Sequence, residues 1–95
     1  MVVSLIQIII HLPDATSLKE KRSTVQSLTR RLQNKYRLTV AEVDLHESIG
    51  YAQIGAALVS NSKKHGDRVM QKVITFVEDE VPGSLYDVST HTEVY

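Results

Sequence analysis

Five side chains able to bind a metal or move a proton crowd the first half of the chain: His11, Glu42, Asp44, His46 and Glu47. Imidazoles and carboxylates serve as zinc ligands and as general acids or bases. Their spacing argues against both roles. No HExxH pair is present, and Asp44-Leu45-His46 cannot place three ligands around one ion without distant help, so the segment reads as a solvated hairpin. Nucleotide binding and acyl transfer fare no better, because GxxxxGK[ST], GxGxxG and GxSxG are all absent. Ser4, Ser17 and Ser60 lack an identifiable base and orienting carboxylate. With no cysteine in the chain, thiolate metal sites, disulfides and cysteine nucleophiles are excluded. The residues therefore point to no catalytic group, no metal site and no cofactor.

Charge is the stronger signal. Eleven basic residues balance eleven acidic ones, so attraction to a polyanion must come from a local patch. Lys19, Lys21, Arg22, Arg30, Arg31, Lys35 and Arg37 lie within 19 to 37 against one acid, Glu20, whereas 78 to 95 holds Glu78, Asp79, Glu80, Asp87 and Glu93 with no Lys or Arg. On a helix, Lys19, Arg30 and Arg37 fall on one flank of the apolar stripe, and Arg31 and Lys35 on the other. Lys21 and Arg22 fall within roughly 60° of the stripe's centre, where a charge needs a reason: they either pair with Glu42, Asp44 or Glu47 or present a fixed anion site near the helix N-terminus, with pairing the favoured reading. A helix so charged can contact phosphates. The competing reading is a solvated face whose long stems cover apolar surface. Aromatic residues are few and no RNP pattern occurs, so stacking of bases on a sheet is not expected, and nothing signals DNA.

These residues need elements to hold them. Val- and Ile-rich 2 to 11 suits a first strand; Val3, Leu5 and Ile9 make one face apolar, and Ile6, Ile8 and Ile10 the other, as in a central strand covered on both sides. Ser17 and Glu20 form a capping box opening a helix that reaches about Tyr36, with Leu18, Val25, Leu28, Leu32 and Tyr36 at helical spacing. Leu38 to Asp44 and Tyr51 to Ser60 read as strands, the latter with small Ala52, Gly55, Ala56 and Ala57 permitting close approach. A second helix is expected over Gly66 to Val81, stopped by Pro82-Gly83, and a last strand over Leu85 to Tyr95. The order β-α-β-β-α-β predicts a single α+β domain over 1–95. It is a ferredoxin-like sandwich with a four-stranded antiparallel sheet and two helices on one face. The apolar start has no basic flank and meets Pro13-Asp14 too early for a membrane span. A soluble, cytoplasmic protein is expected.

The run Asp14 to Arg22, with Arg31-Leu32-Gln33-Asn34-Lys35-Tyr36 and Val40-Ala41-Glu42-Val43-Asp44, resembles the small bacterial DUF503 (YlxP-like) family. The resemblance spans nearly the whole chain and is most specific in Ser17-Leu18-Lys19-Glu20-Lys21-Arg22. It implies the same ferredoxin-like fold. Relatives are often encoded beside translation-initiation and ribosome-maturation factors, which implies an RNA or ribosomal partner. After the second strand relatives usually read His-Gln-Asp-Leu-Trp-Gln-Arg; here Glu47 keeps the carboxylate while Ile49 and Tyr51 replace the tryptophan and arginine.

The resulting expectation is a non-enzymatic module docking on structured RNA through Lys19, Lys21, Arg22, Arg30, Arg31, Lys35 and Arg37. The main alternative is self-association, a homodimer in which stacked sheets or paired edge strands occupy the open face; a third, ranked last, is a small enzyme or metal-binding protein using His11, His46 and Glu47.

Overall fold

The computed structural model describes residues 1–81 and 84–95. Strand β1 (Val2–His11) is followed by helix α1 (Leu18–Tyr36), the hairpin β2 (Thr39–Asp44) and β3 (Tyr51–Ser60), helix α2 (Lys63–Glu80) and strand β4 (Leu85–Val94). The sheet order is β2-β3-β1-β4 with every pair antiparallel. This is the expected ferredoxin-like arrangement, with both helices on one face.

Alternation along β1 decides which face the helices cover. Val2, Ser4, Ile6, Ile8 and Ile10 are buried, and the three isoleucines join Ala52, Ile54 and Ala56 of β3, Val40 of β2, Val25, Leu28 and Leu32 of α1, and Met70, Val73 and Val77 of α2 in one core. The odd positions point the other way. β1 is central as expected, but within the chain only one of its faces is covered, and Leu5 remains 40% exposed. Register aligns Val3 with Val59, Leu5 with Ala57 and Thr39, and Gln7 with Gly55 and Ala41 on the open side. Val43 is an extra residue in β2, where the register slips between Glu42 and Asp44, and its side chain lies over Gly55, 3.0 Å from where a Cβ would stand.

Helix α1 starts at its expected cap, Ser17, whose hydroxyl accepts from Glu20 N at 3.1 Å. Helix α2 begins three residues before the expected Gly66, because Ser62 caps it by accepting from His65 N. Gly66 is thus an early helical residue whose value lies in close packing: a Cβ there would stand 2.1 Å from the Ser4 hydroxyl and 3.2 Å from its Cβ. The helix ends at Glu80; the expected stop, Pro82-Gly83, lies outside the described residues.

The Ser4 hydroxyl is fully buried and, among the described residues, has no hydrogen-bond partner, an arrangement with no reserve for added bulk. Gly66→Ala should cost about 1–3 kcal/mol by overpacking. Adding Ser4→Ala, which deletes the clashing oxygen, should recover part of that loss. Urea denaturation of the two single variants and the double variant measures both, and equal stability of G66A and wild type would contradict the close approach.

Candidate functional site

The Ser17-to-Arg22 run contributes first to architecture. Glu20 returns to the residue before the cap: its Oε2 accepts from the Thr16 hydroxyl at 2.6 Å and from Thr16 N at 3.3 Å, in place of the Ser17 amide of a reciprocal capping box. These two bonds, the hydroxyl's first, hold the Glu20 carboxyl below the ordinary glutamate range.

Lys21 occupies a core position. With Val25, Leu28 and Leu32 it forms the buried stripe of α1, and its exposure is 0%. Its ammonium leaves the apolar layer at the end of the sheet, where it donates to the carbonyls of Leu45 (2.8 Å), Tyr51 (3.2 Å) and His46 (3.3 Å). Glu42 Oε2 stands 3.2 Å away and accepts no hydrogen bond, so that attraction is Coulombic. The 45–50 loop supplies two of these acceptors and the first residue of β3 the third. Leu45 sits at φ 62°, a left-handed conformation costly for a branched side chain, held by Asp44 Oδ1 accepting from its amide at 2.7 Å. A buried ammonium costs several kcal/mol in lost hydration, which the three carbonyl acceptors and the nearby carboxylate offset.

The expected pairing of Lys21 with Glu42 is therefore present, and Lys21 must be removed from the phosphate-binding set because no ligand can reach it. Arg22 is exposed beside Gln26, Thr29 and Ala41, with no carboxylate within 4 Å among the described residues. The acid-base set of the hairpin is dispersed into local roles. His11 stacks on Tyr51, Glu42 faces Lys21, Asp44 holds Leu45, and the His46 ring reaches the Glu42 carbonyl at 3.1 Å.

Lys19, Arg30 and Arg37 are exposed, and Arg37 ends α1 in a left-handed conformation, φ 55°. Arg31 and Lys35 face α2. Arg31 pairs with Glu80 and lies 5.8 Å over the Phe76 ring, and Lys35 Nζ lies 4.9 Å over the same ring. Among the described residues, Glu80 is the only acid of the C-terminal region that masks a basic side chain of α1.

Charge density along the chain did not reveal the contribution of α2. Lys63, Lys64, Arg68 and Lys72 are all exposed, and Arg68 and Lys72 join Lys35, Tyr36 and Phe76 in a groove between the helices. Their signal was the four-residue spacing of 64, 68 and 72, overshadowed by the denser run in α1. Every Lys and Arg of the chain lies on a helix or, as Arg37, at a helix cap, and all but Lys21 are exposed. The strands carry none.

Residues 3–90 match the profile of a family described as "Protein of unknown function (DUF503)". The chain belongs to the DUF503 family. It is also 32% identical over 65 residues to the uncharacterized protein YlxP of Bacillus subtilis (strain 168), covering 68% of this chain and 71% of YlxP. Among solved structures, a de novo designed protein with ferredoxin fold aligns with TM-score 0.57 at 12% identity, over 100% of this chain and 88% of that one. A dimeric ferredoxin-like protein from an uncultured marine organism aligns with TM-score 0.50 at 15% identity, over 98% and 94%. At such identities the structural likeness concerns the fold alone.

In this DUF503 chain Lys21→Met should destabilise by about 3–5 kcal/mol, since it strands three carbonyls and a carboxylate around an apolar tip. Arg22→Met, one residue on and exposed, should stay within about 0.5 kcal/mol of wild type. Chemical denaturation separates them, and a tolerated Lys21→Met would refute the buried cation. Glu20 adds an acid-side dependence. Because its folded carboxyl titrates below the unfolded one, its contribution is complete above the ordinary glutamate value, about 4.3, and is lost as pH falls through the lowered folded value. Glu20→Gln should flatten that limb of a melting-temperature profile; an unchanged limb would contradict the Thr16 bonds.

Proposed function

We propose that this chain is a non-enzymatic cytoplasmic binding module that docks its helix layer on the phosphates of structured RNA, in ribosomal particles or their precursors. The segregation of charge carries this reading. Ten exposed Lys and Arg side chains line the helices, and the open sheet face offers none. Such a layer tracks a phosphate backbone and does not read bases, so affinity depends on counterion release and little on sequence. The surface comprises Lys19, Arg22, Arg30, Arg31, Lys35 and Arg37 from α1 with Lys63, Lys64, Arg68 and Lys72 from α2. Glu80 weakens the claim of Arg31, which must leave that carboxylate to meet a phosphate. The exchange is cheap, because an exposed ion pair contributes about 0–1 kcal/mol.

A second reading, self-association, is favoured by the opposite face. Leu5, Val43, Val59 and Tyr86 are 40–66% exposed there, and Leu5 borders a shallow hollow formed with Ala41, Gly55 and Ala57. Three ten-residue strands about 33 Å long and a six-residue one of about 20 Å, each about 4.8 Å from the next, offer on the order of 600 Å², a little under the roughly 800 Å² each partner buries in a standard interface. The dimeric state of the marine ferredoxin-like protein supports the reading by analogy of fold. The two functions use different faces and are compatible.

Co-sedimentation with ribosomal subunits and with a structured RNA over a salt series tests the RNA reading. An Arg30→Glu, Lys35→Glu, Arg68→Glu variant should bind at least about tenfold more weakly, and its log-log salt slope should be shallower by about one for each phosphate left without a cation. Leu5→Gln on the open face should leave binding unchanged. Absence of binding at low salt, or equal binding by the charge-reversed variant, would remove the proposal.

A further inference from the structure

The sheet ends in two unlike edges. β2 has six residues and is interrupted by the extra residue Val43, a device that prevents strand addition. β4 has ten residues, pairs only with β1, and is regular from Asp87 onward. It contains neither Lys nor Pro, the residues that usually blunt an edge. Its far end is held straight: the Met1 ammonium donates to Tyr95 O at 2.9 Å, Tyr95 N donates to Met1 O at 2.7 Å, and the Thr92 hydroxyl donates to Asp67 Oδ1 at 3.2 Å. In an antiparallel ladder alternate residues turn their amides and carbonyls away from the neighbour, so β4 presents an ordered row of unpaired groups.

We propose that β4 pairs antiparallel with β4 of a second copy about a two-fold axis at Ser89. This interface rests on the self-association reading but places the contact at the β4 edge, leaving the open face uncovered. Side chains select the register. Centring on Ser89 sets Asp87 against the partner's His91, twice by symmetry, and Val88 against the partner's Thr90, a pair of β-branched residues. Centring on Thr90 would set Asp87 against the partner's Glu93, two carboxylates face to face. Centring on His91 would oppose the two imidazoles and leave the carboxylates without a basic partner across the interface. Centring on Val88 would draw the irregular start of β4, at Leu85 and Tyr86, into the ladder. His91 already lies 3.3 Å from Glu93 on its own strand, so in the Ser89 register it bridges one carboxylate from each copy. The axis stands perpendicular to the sheet, which becomes eight-stranded with all four helices on one side. Two basic helix layers then face the same way, and a long RNA could span both.

The absence of cysteine makes the test direct. In the proposed register Ser89 faces its own counterpart with Cα atoms about 4.5–5.5 Å apart, inside the roughly 4.4–6.8 Å span of a disulfide. Thr90 and its counterpart stand about 8 Å apart, two residues out of register, and sheets stacked face to face would hold Ser89 about 10 Å from its copy. Mild oxidation should therefore convert S89C, but neither T90C nor H91C, to a covalent dimer, while the native chain sediments as a dimer at micromolar concentration. A native monomer at that concentration would overturn self-association and this interface together. A native dimer in which S89C fails to crosslink, or in which T90C or H91C crosslinks instead, would overturn the interface and leave self-association standing.

Discussion

A buried ammonium organises one end of this molecule. Hydration must be replaced wherever an amine is taken out of water, and Lys21 finds that replacement only where the carbonyls of Leu45, His46 and Tyr51 converge beside Glu42. The requirement runs in both directions. The loop must hold Leu45 in a left-handed conformation to aim its carbonyl, and α1 must lie at the height that brings its first turns over the ends of β2 and β3. One side chain thus couples the cap at Ser17, the depth of α1 and the shape of the hairpin.

With Lys21 withdrawn from solvent, the remaining basic residues form one layer. Each exposed Lys and Arg lies on a helix or its cap, and the open sheet face beneath mixes apolar side chains such as Leu5 and Val59 with polar ones such as Gln7 and Gln53 but carries no Lys or Arg. A polyanion and an apolar partner would therefore approach from opposite sides and would not compete. The groove between α1 and α2 adds Phe76 and Tyr36 among the cations, where Lys35 rests on the Phe76 ring.

Much of the fold was legible because period and punctuation agreed. Ser17, the stripe Val25-Leu28-Leu32 and the even-numbered isoleucines of β1 named α1, its buried face and the central strand. The start of α2 was harder to see: Lys63, Lys64 and His65 carry no apolar period, and Gly66 looks like a boundary when it is a point of close approach to Ser4. Of the candidate surface, the α1 residues could be read from charge density alone. Lys21 was separable from Arg22 only through its register with Val25, Leu28 and Leu32, and the carbonyls that receive it belong to a backbone conformation that no residue type announces. The basic residues of α2 were visible as letters, but their alignment with Lys35 depends on how the helices pack.

The extra residue at Val43 has a consequence for the size of any assembly. A sheet with two open edges can grow without limit, each added copy exposing another template, and chains of that kind become fibres. Here the bulge spoils one edge in every copy. A chain that joins another through β4 uses its one competent edge and turns a disabled β2 outward. In an assembly joined through β4, growth would stop at two.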